Sequence, residues 1–71
     1  VGLKMNVPRE RVGDVIALLP SITAPTVAGL YEKDWLSIEV VIAEATVRDL
    51  VPRLVSAGAE GIIEYPLNKV L

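Results

Sequence analysis

Six carboxylates are the residues of this chain best suited to acid–base or metal chemistry: Glu32, Asp34, Glu39, Glu44, Glu60 and Glu64. No two of them stand at a spacing that marks a general acid–base pair. Glu32 and Asp34 fall in a polar turn, where charge is ordinary, and a hard cation needs several converging oxygen ligands. The chain has no histidine and no cysteine. That excludes Ser-His and Cys-His catalysis, thiolate metal sites and disulfide staples. Gly58-Ala59-Glu60-Gly61 holds two glycines but fits neither phosphate-loop pattern. Gly58 suits a helix cap, and Gly61, opening a strand, suits close approach by a ligand or another chain. Binding is the chemistry that remains. The connection ITAPTVAGLYEKDW, Ile22 to Trp35, is the segment most in need of explanation. Pro20 stands just before it and Pro25 within it, and Ala24-Pro25-Thr26-Val27 carries no charge. A bland loop is richer in Gly, Ser, Asn and Asp.

The elements that hold these residues follow from periodicity. Val1, Leu3, Met5 and Val7 alternate with Gly2, Lys4 and Asn6, which predicts a half-buried strand ended by Pro8. Val12, Val15, Ile16 and Leu19 make one apolar stripe on a helix over Arg9–Leu19, weakened by Gly13 and stopped by Pro20. Thr26–Tyr31 and Trp35–Ile42 predict two strands joined into a hairpin by Glu32-Lys33-Asp34. In the second of these, Leu36, Ile38, Val40 and Ile42 face one way, and Trp35, Ser37, Glu39 and Val41 the other. A second helix is expected over Thr46–Ala57. Thr46 and Asp49 resemble a capping box, Val47, Leu50, Val51 and Leu54 form its stripe, and Pro52 should kink or loosen its first half. A last strand over Gly61–Leu67 ends near Pro66, a residue of strand edges and ends.

The order β-α-β-β-α-β predicts an α+β, ferredoxin-like sandwich: a four-stranded antiparallel sheet with two helices on one face. With 71 residues the ceiling is one domain. The chain is 52% hydrophobic and its mean hydropathy is +0.50. That supplies one two-layer core with apolar surface to spare for an oligomer contact or a neighbouring domain. A net charge of -2 argues against a nucleic-acid partner, which asks for a basic face. The apolar runs, broken by Glu39, Glu44 and Asp49, are too short for a membrane span. No signal peptide is visible, and a start at Val1 suggests a fragment or processed form.

The uncovered sheet face should carry Lys4, Asn6, Trp35, Ser37, Glu39 and Val41. Trp35, Ser37 and Glu39 are therefore interface candidates. Functions common on this fold fail on residue grounds. Base stacking asks for several sheet aromatics, yet Phe is absent and Trp35 is the single Trp. Metal carriage on this topology asks for paired cysteines.

Taken together, LKMNVP (Leu3–Pro8), ALLP (Ala17–Pro20), APTV (Ala24–Val27), KDW (Lys33–Trp35) and LVSAGAEGIIEYPL (Leu54–Leu67) resemble the C-terminal regulatory domain of long-form ATP phosphoribosyltransferase. That enzyme performs the first step of histidine biosynthesis. The resemblance runs through the whole chain, in order, and it implies a PII-like feedback domain over residues 1–71 that binds L-histidine. It also implies a cytoplasmic hexamer in which these domains meet across subunits. Catalysis with ATP, phosphoribosyl pyrophosphate and magnesium belongs to lobes absent from these residues, so no transferase activity and no cofactor are expected here. The family's effector site falls on Asn6, Ile22, Ala24, Thr26, Val41 and Gly61. Pro25 would set the backbone there, and Trp35 would open the strand that closes the pocket. Some members carry Asp at the position of Asn6, so a full ionic contact is missing here, and Ser or Glu at that of Ala24, so a side-chain hydrogen bond is lost. The competing expectation is a stand-alone PII-like small-molecule sensor or assembly module without enzymatic activity.

Overall fold

The computed structural model describes residues 1–20 and 24–68. Alternation in GLKMNVP builds β1 (Gly2–Pro8), which buries Leu3, Met5 and Val7 on one face. A 3-10 turn (Arg9–Arg11) leads into α1 (Val12–Leu18). After the proline-flanked connection come β2 (Thr26–Gly29) and β3 (Trp35–Val41), then α2 (Glu44–Ser56) and β4 (Glu60–Tyr65). The sheet order is β2-β3-β1-β4, and every pairing is antiparallel. This is the ferredoxin-like arrangement, with β1 and β3 central.

Both helices pack on one face. Val15 of α1 and Leu50 and Leu54 of α2 join Leu3, Met5, Val7, Ile38, Val40, Ile42 and Ala59 in a single core. Among the described residues no polar side chain is buried. The core is therefore held by apolar burial alone, worth roughly 25 cal/mol per Å² removed from water. Just outside the two central strands, Val1 and Ile42 exchange backbone hydrogen bonds of 2.8 and 2.9 Å.

Several boundaries differ from expectation, each for a local reason. The first turn after Pro8 is 3-10, so α1 proper begins at Val12 rather than Arg9. β2 stops at Gly29, because Leu30 already closes the hairpin by donating its N–H to the Trp35 carbonyl. Thr46 is not a cap. α2 starts two residues earlier with Ala43 as N-cap, and the Thr46 hydroxyl bonds back to the Ala43 carbonyl at 2.7 Å. Such back-bonding is the alternative open to a threonine inside a first turn. α2 runs without a break through Pro52, which is exposed. β4 ends at Tyr65, one residue before Pro66, and is an edge strand.

The helix C-terminus follows the expected chemistry. Gly58 has φ +107°. Its N–H reaches the Val55 carbonyl, and the Ala59 N–H reaches that of Leu54. These two bonds form a Schellman motif, and they deliver buried Ala59 beside buried Leu54.

Candidate ligand site

Register fixes which side chains share the uncovered face, because residues directly opposite one another point the same way. One cross-row holds Ala28, Ser37, Asn6 and Glu60; the next holds Thr26, Glu39, Lys4 and Ile63; a third holds Val41, Gly2 and Tyr65. Lys4, Glu39, Val41 and Ile63 are exposed, and Asn6, Trp35, Ser37 and Tyr65 are half-buried.

The register between β1 and β4 shifts between Lys4 and Asn6. Lys4 faces Ile63 while Asn6 faces Glu60, so β4 spends three steps where β1 spends two. The added residue is accommodated at Gly61, whose φ is +58°. A glycine in the left-handed region is the signature of a G1 bulge. A Cβ added at Gly61 would lie 3.5 Å from the Asn6 side-chain nitrogen, so this glycine also keeps the space beside Asn6 open.

Two pockets open on this face. The first, of about 220 Å³, is lined by Asn6, Leu30, Lys33, Trp35, Glu60 and Gly61. The second, of about 230 Å³, is lined by Ala24, Thr26, Glu39, Val40, Val41 and Tyr65. They share no residue. The expected effector residues are thus divided, with Asn6 and Gly61 in one pocket and Ala24, Thr26 and Val41 in the other. Ile22 lies outside the described residues. Adjacent strands sit about 4.8 Å apart with a rise of about 3.3 Å per residue, which puts Asn6 and Thr26 on the order of 12 Å from each other across β3. Trp35 lines the Asn6 pocket, not the Thr26 one. Two more depressions, lined largely from α2, hold none of the expected residues.

The wall of the second pocket is built by contact across the sheet. The Tyr65 ring occupies the place a side chain at Gly2 would need: an added Cβ there would meet ring atoms at 2.1 and 2.2 Å. From that position the Tyr65 hydroxyl donates to the Glu39 carboxylate. This hydrogen bond raises the Tyr65 pKa above the usual phenol value of 10.0, with desolvation and the Glu39 charge acting in the same direction. Elsewhere, Arg9 Nε meets Asp34 Oδ1 at 2.7 Å and ties the hairpin turn to the start of the 3-10 turn. Both side chains are exposed, so this pair is worth little.

Lys33, Glu60 and Tyr65 were not among the expected site residues. Gly61, at the mouth of β4, was the signal that pointed to this corner. Among the described residues no three acidic side chains converge to hold a metal ion. No helix among them is long and apolar enough to cross a membrane.

The family model described as "HisG, C-terminal domain" matches residues 1–69. Over all 71 residues the chain is 68% identical to the ATP phosphoribosyltransferase of Solidesulfovibrio magneticus, and it covers 24% of that protein. It is 62% identical to the ATP phosphoribosyltransferase of Desulfatibacillum aliphaticivorans and 59% identical to that of Desulfosudis oleivorans, again covering 24% of each. The chain spans about a quarter of the length of these curated relatives.

Proposed function

The chain belongs to the HisG C-terminal domain family, and from that premise we propose that it is the feedback domain of an ATP phosphoribosyltransferase, binding L-histidine, the end product of the pathway. The observation that carries this reading is the grouping of the expected effector residues. Five of the six line pockets on the one sheet face that no helix covers, and they sort into an Asn6 half and a Thr26 half. Two half-sites on one face suit a ligand held between two copies of the domain, with each copy contributing one half. The relatives' greater length favours a regulatory part of a longer enzyme over a stand-alone sensor. Phosphoribosyl transfer with magnesium, ATP and phosphoribosyl pyrophosphate would belong to the rest of that enzyme, in a cytoplasmic hexamer.

The mechanism is thermodynamic linkage. Histidine inhibits to the extent that it binds the inhibited arrangement of subunits more tightly than the active one. A site completed by two copies meets that condition directly, because only the arrangement that joins the halves offers the full set of contacts. Titration of L-histidine into the chain, followed by amide chemical shifts, tests the reading. The expected shifts cluster at Asn6, Gly61, Ala24, Thr26 and Val41. An unchanged spectrum at millimolar histidine overturns it. Thr26→Val should weaken binding several-fold, since it removes one hydrogen-bonding hydroxyl at an exposed position. The melting transition should move little.

A further inference from the structure

The Asn6 pocket carries charges that the expected effector residues leave unused. Lys33 reaches it from the hairpin turn and Glu60 from the first position of β4. Neither belongs to either of the two ion pairs formed among the described residues. Glu60 is the one carboxylate in the described lining of this pocket, Lys33 the one cation and Trp35 the one aromatic.

Glu60 is there because of the bulge. If the Lys4–Ile63 register ran on unbroken, Asn6 would face Gly61. Glu60 would then stand opposite Val7, on the face that packs against the helices. The extra residue at Gly61 shifts the pairing by one, so that Glu60 lies opposite Asn6 on the uncovered face. Bulges commonly re-aim a side chain in this way beside functional sites. Asn6 is neutral, and the register shift sets an anion directly beside it.

We propose that Glu60 receives the α-ammonium group of an amino-acid ligand in this pocket, that Lys33 receives its α-carboxylate, and that Trp35 supplies a flat wall for a planar side chain. The proposal rests on the histidine reading above and deepens it. It assigns recognition of the zwitterion to two residues outside the expected set. One cation, one carboxylate and one aromatic side chain lining the same pocket match an α-amino acid with a ring side chain. They do not match a nucleotide or a phosphate, which would meet the Glu60 charge.

Calorimetric titrations with three probes test the assignment: L-histidine, histamine, which lacks the carboxylate, and imidazolepropionate, which lacks the ammonium. Each is titrated into the unsubstituted chain, Glu60→Gln and Lys33→Met, with circular dichroism to confirm the fold. Both positions are exposed, so both variants should retain it. Losing one charge-assisted contact should weaken binding by about tenfold. Glu60→Gln should therefore lose histidine and histamine by that factor and leave imidazolepropionate unchanged. Lys33→Met should lose histidine and imidazolepropionate and leave histamine unchanged. Equal weakening of all three probes would mean a merely structural role and would overturn the assignment. If histidine binds the unsubstituted chain and Glu60→Gln alike, the Glu60 role falls while the histidine reading stands. If histidine does not bind the unsubstituted chain, both fall.

Discussion

At the scale of single residues, the contact between Tyr65 and Glu39 is the most explicit piece of chemistry on the uncovered face. A phenol that donates to a carboxylate resists deprotonation, since its phenolate would lose the bond and face a like charge. Tyr65 therefore titrates above the ordinary phenol range, with the hydrogen bond as the largest cause. The sign follows from linkage. The bond is present at neutral pH and disappears as pH rises through the raised pKa. Glu39→Gln should lower the midpoint of the Tyr65 titration toward the usual value, as read from the ring carbon beside the hydroxyl by NMR. A midpoint that stays in place would show that the carboxylate is not the cause. This contact was not legible in the sequence. It joins residues that are distant along the chain, across a strand whose only contribution is the absence of a side chain at Gly2.

At the scale of elements, two glycines separate what a helix tolerates from what it requires. Gly13 lies inside α1, and a Cβ added there would meet nothing within 4 Å. Gly13→Ala should stabilise the chain by about 0.5–1 kcal/mol, since it removes unfolded-state entropy without strain. Gly58 holds φ +107° in the Schellman turn, and an added Cβ would meet the Arg11 side chain at 3.3 Å. Gly58→Ala should cost about 1–2 kcal/mol, the usual penalty for a side chain in the left-handed region. Urea denaturation checks both, with the midpoint moving up for one variant and down for the other. Periodicity and capping are local signals. They were enough to read the βαββαβ order, the apolar stripes of both helices and the role of Gly58 from the sequence. The start of α2 was misread because Thr46 looks like a cap until its hydroxyl is seen to bond backwards. The bulge was hidden for a different reason. In EGIIEY apolar residues fall on both faces, Ile62 toward the core and Ile63 and Tyr65 toward the uncovered face, so no alternation fixes the register. With the register unread, Glu60 could not be placed beside Asn6, and the charged part of the candidate site went unseen.

At the scale of the whole molecule, the sheet has one face packed by helices and one that remains uncovered, with Val41 and Ile63 44% and 56% exposed. If each site joins the Asn6 half of one copy to the Thr26 half of another, two damaged chains can repair each other. Asn6→Ala and Thr26→Val should each bind histidine poorly alone. Mixed in equal amounts and allowed to exchange, they should recover about a quarter of the sites, because random assortment of copies pairs two intact halves in that fraction. Calorimetry of the mixture against each parent measures this, and no recovery would place the whole site within one chain. The Tyr65 ring over Gly2 has a consequence of another kind, for the routes by which such a chain can change over time. The two positions are far apart in the sequence and share one volume. A side chain gained at position 2 while Tyr65 is in place meets the ring, whereas the same gain after Tyr65 has become a small residue meets open space. A side chain gained at position 2 therefore has to turn the Tyr65 ring aside, and with it the hydrogen bond to Glu39, so the two positions are coupled.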